Sequence, residues 1–321
     1  MNRNIKTSSI TESAMITGIL VIIAYLSSFF TILMFFYPTP AIILGKRKGL
    51  KYAVLSLIAS DIIISMLLGL QTGLIFLIMY TPLAVALTYG VCSNEDANKT
   101  ILFGSAAYMI SFVVFILLLN AVMGINFIQR LADMYDQSFA MTKDFFENVP
   151  DELKTEQMEQ AIKNIEQTAA PLMNYIITNV FPAIMIVASV TTSYINYIVA
   201  SKFAKRFSIN VKQHEGIGYF TFPKNFMIAM AGLLLLSFLL NALNINVGII
   251  QLNLFTIIFM AMMLQGFAVL KFFVDKSGLG KFVRTIILVM IVLMSLNFSF
   301  IYVIIGLVDL TINLRKINRA V

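Results

Sequence analysis

The sequence predicts an all-α, polytopic helical membrane protein, and three observations carry that expectation. First, 59% of the 321 residues are hydrophobic and only 12% are charged, where a soluble domain runs at about 45–50% apolar and about 25% charged. Second, the mean hydropathy is +0.88. Third, the apolar residues lie in long continuous runs separated by basic clusters; a membrane β-barrel would show alternating segments of about 10 residues instead. A soluble enzyme, a disordered chain and a nucleic-acid-binding domain are excluded on this composition, despite an excess of basic residues.

Charge sorting organises the runs. Residues 126–170 hold four basic and nine acidic residues, leaving 19 basic and 7 acidic for the rest. The basic residues outside this segment cluster at Arg3 and Lys6; Lys46, Arg47, Lys48 and Lys51; Lys99; Lys202 to Lys224; Lys271 to Arg284; and Arg315 to Arg319. Short basic loops stay in the cytoplasm, so an even number of crossings is expected between neighbouring clusters.

A bilayer core of about 30 Å takes about 20 helical residues. Runs 52–70 and 72–92 make two spans around Gln71, runs 100–125 and 172–200 make two around the acidic segment, and runs 226–243 and 247–270 make two around Asn244 and Asn246. The end runs, 13–45 and 285–314, are long for one helix and short for two. Each has a polar interruption: Ser27-Ser28 with Pro38-Thr39-Pro40 in the first, and Ser295, Asn297 and Ser299 in the last. Two short, bent crossings in each give ten spans; one tilted helix in each gives eight. The expectation is eight to ten transmembrane segments with both termini cytoplasmic. The chain divides into N-terminal membrane helices at 1–125, an extracytoplasmic insertion at 126–170 and C-terminal membrane helices at 171–321.

The insertion reads as two amphipathic helices. Phe127, Leu131, Met134, Tyr135, Phe139 and Phe145 recur at helical spacing between acids, and Pro150 with Asp151 and Glu152 suits the start of the second. It serves as a structural cap, a lid or a docking surface; the pattern is the same for all three. Tryptophan is absent, so Tyr37, Tyr52, Tyr89, Tyr108, Tyr175 and Tyr219, near span ends, are expected as interfacial rings.

Asp61 is the sharpest candidate for a binding residue. A carboxylate in mid-span costs about 2.5–3.5 kcal/mol on insertion scales and should face protein or water. Ser65 lies one turn on. Asp309, near the inner end of the last run, is placed to pair with Arg315 or Lys316. Asn120, Asn179, Asn196, Gln265 and Asn297 lie at membrane depth, where amides join helices or line cavities. Ala14 with Gly18, and Ser56 with Ser60, form small pairs four residues apart that let helices approach. The Gly278-Leu279-Gly280-Lys281 stretch lacks the spacing and the hydroxyl residue of a phosphate loop. One cysteine and one histidine leave no expected metal site, cofactor or catalytic constellation. The chain reads as a non-enzyme whose partners are the lipid bilayer, a membrane-protein partner and an unknown small molecule, with no nucleic acid.

The order of features resembles one family. A basic tip runs into Thr11-Glu12-Ser13-Ala14-Met15-Ile16-Thr17-Gly18; then come Tyr37-Pro38-Thr39-Pro40 and Gly45-Lys46-Arg47-Lys48-Gly49; the chain ends on Gly306-Leu307-Val308-Asp309 and Leu314-Arg315-Lys316. This resembles the YybS-like family of uncharacterised bacterial membrane proteins over the whole chain. Its first half is also distantly similar to the substrate-binding S components of energy-coupling factor transporters. That second resemblance implies that Ala14 and Gly18 meet a transmembrane coupling subunit, with glycine in place of the usual second alanine. The acidic insertion and the C-terminal spans depart from S components, and no ligand residues match. The function expected is a transporter-like membrane component with an intramembrane site. The alternative is a scaffold that recruits envelope or division proteins through the outer helices.

Overall fold

The computed structural model describes residues 2–150, 155–212, 214, 216–222 and 224–317. Among them, the regular structure is entirely helical. The elements are α1 (Asn2–Ser27), α2 (Pro38–Lys48), α3 (Leu50–Leu68), α4 (Leu70–Ile75), α5 (Thr81–Cys92), α6 (Ala97–Met123), α7 (Phe127–Glu147), α8 (Glu156–Asn164), α9 (Ala170–Tyr175), α10 (Phe181–Arg206), α11 (Lys224–Ala242), α12 (Gly248–Lys276), α13 (Lys281–Asn297) and α14 (Ser299–Ile312). A π turn at Phe76–Tyr80 joins α4 to α5, and two more, Ile165–Ala169 and Ile176–Val180, join α8 to α9 and α9 to α10.

Among the described residues, seven helical segments are long and apolar enough to cross a membrane, and the α13–α14 pair, bent by 108°, brings the count to eight if it forms one broken span. The protein is therefore a multi-pass membrane protein, with seven to eight candidate spans where eight to ten were expected. The two end runs break where their polar residues stand. α1 stops at Ser27, a 3-10 stretch covers Thr31–Phe36, and α2 starts at Pro38, where proline suits the first helical position because its missing N–H costs no intrahelical bond. α13 stops at Asn297 and α14 starts at Ser299. The second outer helix is described from Glu156; its expected start beside Asp151 and Glu152 lies outside the described residues. The helical run is continuous across residue 170, from α8 through the Ile165–Ala169 π turn into α9.

The chain forms two compact units, one of residues 1–134 with 185–214 and one of residues 135–184 with 215–321. In the first unit, polar contacts tie several loops to one end. Glu12 of α1 pairs with Arg47 at 2.6 Å and Lys48 at 3.1 Å at the end of α2. The Lys46 ammonium donates to the Val91 carbonyl at 2.9 Å and to the Asn94 amide oxygen. Lys212 pairs with Asp96 at 2.6 Å, and Tyr197 donates to the Lys212 carbonyl. The chain thus leaves this end in α1 and is back at it by Lys46. It leaves again in α3 and has returned by Val91.

The core of the first unit is apolar: Leu20, Ile42, Leu57, Ile64, Leu83 and Leu87 are fully buried. α1 shows two faces. Ser13, Thr17, Leu20 and Ala24 turn inward, and the Thr17 hydroxyl reaches the Ser56 carbonyl of α3 at 3.2 Å, so the Ser56 and Ser60 pair serves packing within the unit. Met15, Ile19 and Ile22 turn outward, as lipid-facing positions do.

In the second unit α14 packs against α12 at backbone distance. A Cβ on Gly266 would come within 2.0 Å of the Tyr302 carbonyl oxygen, and one on Gly306 within 2.1 Å of the Met262 carbonyl oxygen. Small residues give such contacts in membranes, where van der Waals approach takes the place of the hydrophobic effect between helices.

Candidate functional site

Asp61 lies in α3 with 3% of its surface exposed. The cluster around it draws on α2, α3 and α5. Tyr37, at the N-cap of α2, donates its hydroxyl to Asp61 Oδ1 at 2.6 Å. Thr81, the first residue of α5, donates to Asp61 Oδ2 at 2.7 Å. Ser60 Oγ stands 2.7 Å from the Tyr37 hydroxyl and also donates to the Leu57 carbonyl at 2.8 Å. Both carboxylate oxygens are thus satisfied by hydroxyls, which is what a carboxyl away from water requires.

Local structure aims these groups. The Pro38 break places Tyr37 at the mouth of a short helix, where its ring turns inward. The π turn at Phe76–Tyr80 immediately precedes Thr81, and π turns of this kind recur at functional sites. Aromatic rings wall the cluster: Phe76 lies 4.7 Å and Tyr80 6.4 Å from the Tyr37 ring, centroid to centroid, and Tyr108 of α6 lies 5.8 Å from Tyr80. Two residues beyond Tyr37, Thr39 donates to the Asn196 side chain of α10 at 3.0 Å, and Asn196 donates to the Phe35 carbonyl at 2.7 Å. These bonds satisfy the backbone that the α1–α2 break sets free, as irregular structure at membrane depth must.

Ser65 does not join this cluster. Its hydroxyl donates to the Asp61 backbone carbonyl at 2.8 Å, and its side chain stands against Gly73 of α4, where a Cβ would lie 1.8 Å from Ser65 Oγ. Ala14 and Gly18 sit on the outer face of α1. Both are exposed, and a Cβ on Gly18 would meet nothing within 4 Å.

Tyr37 and Tyr108 correct the expectation of interfacial rings. They are 0% and 5% exposed, inside the unit, while Tyr89, Tyr175 and Tyr219 remain on the surface. Of the five amides at depth, Asn196 and Gln265 are fully buried; Asn179 is half-buried, and Asn120 and Asn297 are exposed.

Gln265 belongs to a second buried polar cluster, in the other unit. Asp309 accepts from Arg315 at 2.9 Å and from Gln265 at 2.8 Å. Arg315 also donates to the Gly218 carbonyl at 2.6 Å, and Gln265 to Thr221 at 3.2 Å. With Arg315 and Asp309 at 1% and 0% side-chain exposure, this cluster clamps the end of α14 onto the 216–222 segment, with its charges and donors matched. Among the described residues, no three His, Cys, Asp or Glu side chains come close enough to hold a metal ion.

Outside the spans, charge pairs hold the loops. The Lys212 hydrogen bond and charge hold the Asp96 carboxyl below its ordinary range. In the acidic segment, the Glu166 hydrogen bond and charge, joined by Glu147, hold the Lys143 ammonium above its ordinary range.

The helical spans and a hydroxyl-ringed carboxyl at membrane depth define a polytopic helical membrane protein with a buried polar centre. Residues 14–310 match the family described as "Predicted membrane protein (DUF2232)", and the chain belongs to that family. It is 25% identical over 239 residues to "Uncharacterized protein YybS" of Bacillus subtilis (strain 168), covering 73% of this chain and 74% of the relative. No solved structure matches the chain.

Proposed function

We propose that the chain is a transporter-type component of the cell membrane, not an enzyme, that binds a small molecule or ion within the membrane and works with a second membrane protein. The observation that carries this reading is the Asp61 cluster. A carboxyl is held at membrane depth between a broken hairpin, α1–α2, and a π turn before α5. Ionisable groups at that depth mark ion and substrate pathways, and discontinuous helices near the midplane are where transporters place their binding sites. The outward Ala14 and Gly18 support a helix partner on α1, because a face without bulk there admits a second backbone.

A second reading rests on a different observation. α7 exposes Met134, Met141 and Phe145 among acids, which suits a scaffold that recruits envelope proteins through the outer segment. Mass spectrometry of the protein purified in mild detergent separates the two. A co-purifying small molecule that is lost in Asp61→Leu supports the transport reading. A stoichiometric protein partner held by residues 126–170, with no small molecule, supports the scaffold and overturns transport.

A further inference from the structure

The hydroxyls around Asp61 form a chain that runs equally well in two directions. With the carboxyl ionised, Ser60 donates to Tyr37, Tyr37 donates to Asp61 Oδ1, and Thr81 donates to Oδ2. With a proton on Oδ1, the sequence reverses. Asp61 donates to the Tyr37 oxygen, Tyr37 donates to Ser60 Oγ, and Ser60 donates to the Leu57 carbonyl, which already lies 2.8 Å from it. Thr81 keeps its bond to Oδ2 in both states. Every hydroxyl has one proton to give and lone pairs to receive, so each state is fully satisfied without moving a heavy atom.

In the protonated state the chain ends on Leu57 O, which Ser60 reaches by the same bond to the carbonyl three residues back that Ser56 makes to Ala53. The surroundings leave the carboxyl to the hydroxyls. The carboxyl meets Tyr37 from α2 and Thr81 from α5; on its own helix, Ser60 reaches the Tyr37 hydroxyl and Ser65 the Asp61 backbone carbonyl. The π turn contributes the Phe76 and Tyr80 rings around Tyr37, and α6 contributes Tyr108 behind Tyr80. α1, packed on α3, brings Thr17, which is bonded to Ser56, with Leu20 and Ala24. Among the described residues, none of these groups is a lysine or arginine that would fix Asp61 as a permanent anion.

We propose that Asp61 is a reversible proton-binding site, with the Tyr37–Ser60–Leu57 chain as the switch that accommodates either state. One proton from water binds Oδ1 and is later returned to water; no other covalent bond changes. That the proton drives movement of a cargo rests on the transport reading above, whereas the proton site itself does not.

The test is infrared difference spectroscopy of the full chain in lipid nanodiscs, stepped between about pH 4 and about pH 9 to bracket the ordinary carboxylate range and well above it. The expected result is a protonated-carboxyl carbonyl band that rises and falls with pH and is lost in Asp61→Asn. In Tyr37→Phe and Thr81→Val, the same band persists and moves to higher wavenumber, as a carboxyl does on losing a hydrogen-bond partner. These two variants carry the assignment if Asp61→Asn fails to fold. A band that does not change with pH, or a pH-dependent band unaltered in all three variants, overturns the proposal; so does the absence of any such band. A titrating band without a bound small molecule keeps the proton site and removes the transport reading. A bound molecule with an invariant band does the reverse.

Discussion

Gly306 of α14 faces Gly266 of α12 so closely that a Cβ on Gly306 would come within 3.0 Å of the Gly266 backbone nitrogen. The listener on each side is a main chain, which cannot rotate away. Gly306→Ala therefore forces the helices apart, and overpacking of this kind costs about 1–3 kcal/mol. The expected outcome is a lower melting temperature in detergent for Gly306→Ala and for Gly266→Ala. Gly18→Ala, whose Cβ meets nothing within 4 Å, serves as the control and should leave melting unchanged or raise it, since alanine favours a helix interior over glycine.

The basic clusters outside residues 126–170 predict a membrane sidedness: Arg47, Lys48 and Lys51 in the cytoplasm and the acidic segment outside. In a Cys92→Ser background, a cysteine at the exposed Gln157 should react with an impermeant maleimide in intact cells. A cysteine at the exposed Lys51 should react only after permeabilisation. Labelling of both in intact cells would refute the assignment.

The two faces of α1 predict separable losses. Gly18→Leu adds bulk to an exposed position, so the monomer should fold and elute as the wild type does. If a helix partner docks there, its recovery in a pull-down should fall by about tenfold or more, since close backbone approach is lost. Thr17→Leu acts on the buried face, where the hydroxyl bonds the Ser56 carbonyl. It should lower the yield of folded monomer instead.

Acid and base should loosen different loops. The Asp96 carboxyl is held below its unfolded range by Lys212, so its contribution is present above about pH 4 and fades as pH falls through the depressed folded value. The Lys143 ammonium is held above its unfolded range by Glu166, so its contribution is complete below about pH 10 and fades as pH rises through the raised folded value. Hydrogen exchange should therefore quicken near Lys212 in acid and near residues 143–166 in strong base. Lys212→Met should abolish the first change and leave the second.

Much of the helix plan was legible because its breaks are chemical. Ser27-Ser28 and Pro38 end and restart the first run, and Asn297 and Ser299 flank the bend in the last. Asn244 and Asn246 mark the turn between α11 and α12. Gln71 was two residues off, because Gly69, at a φ of +94°, takes the turn that other residues resist. The pairing of Asp309 with Arg315 was also legible, since both lie within one helix end. Asp61 stood out as a charge in an apolar run, but its partners did not. Tyr37 lies 24 positions away and Thr81 lies 20 away, and nothing in a hydroxyl's own surroundings shows which distant helix it will meet. Tyr37 beside a proline at a span end has the pattern of an interfacial ring, and only packing turns it inward. The likeness to S components reached no further than the motifs that suggested it.

The short α2 has a consequence for how the protein is made. Its 11 residues reach about 16 Å at 1.5 Å per residue, roughly half the hydrocarbon thickness. Six of them, Pro38, Thr39, Ala41, Ile42, Leu44 and Gly45, are buried, so protein, not lipid, is their solvent. Yet the helices that bury them, α3 and α5, leave the ribosome after α2 does. The translocon cannot release α2 sideways as a finished span. It must keep the segment at the interface until its neighbours arrive, and only then can Tyr37 reach Asp61. The polar centre of the first unit is thus completed only when α5 arrives, and a chain stopped after α3 would hold Asp61 without Thr81.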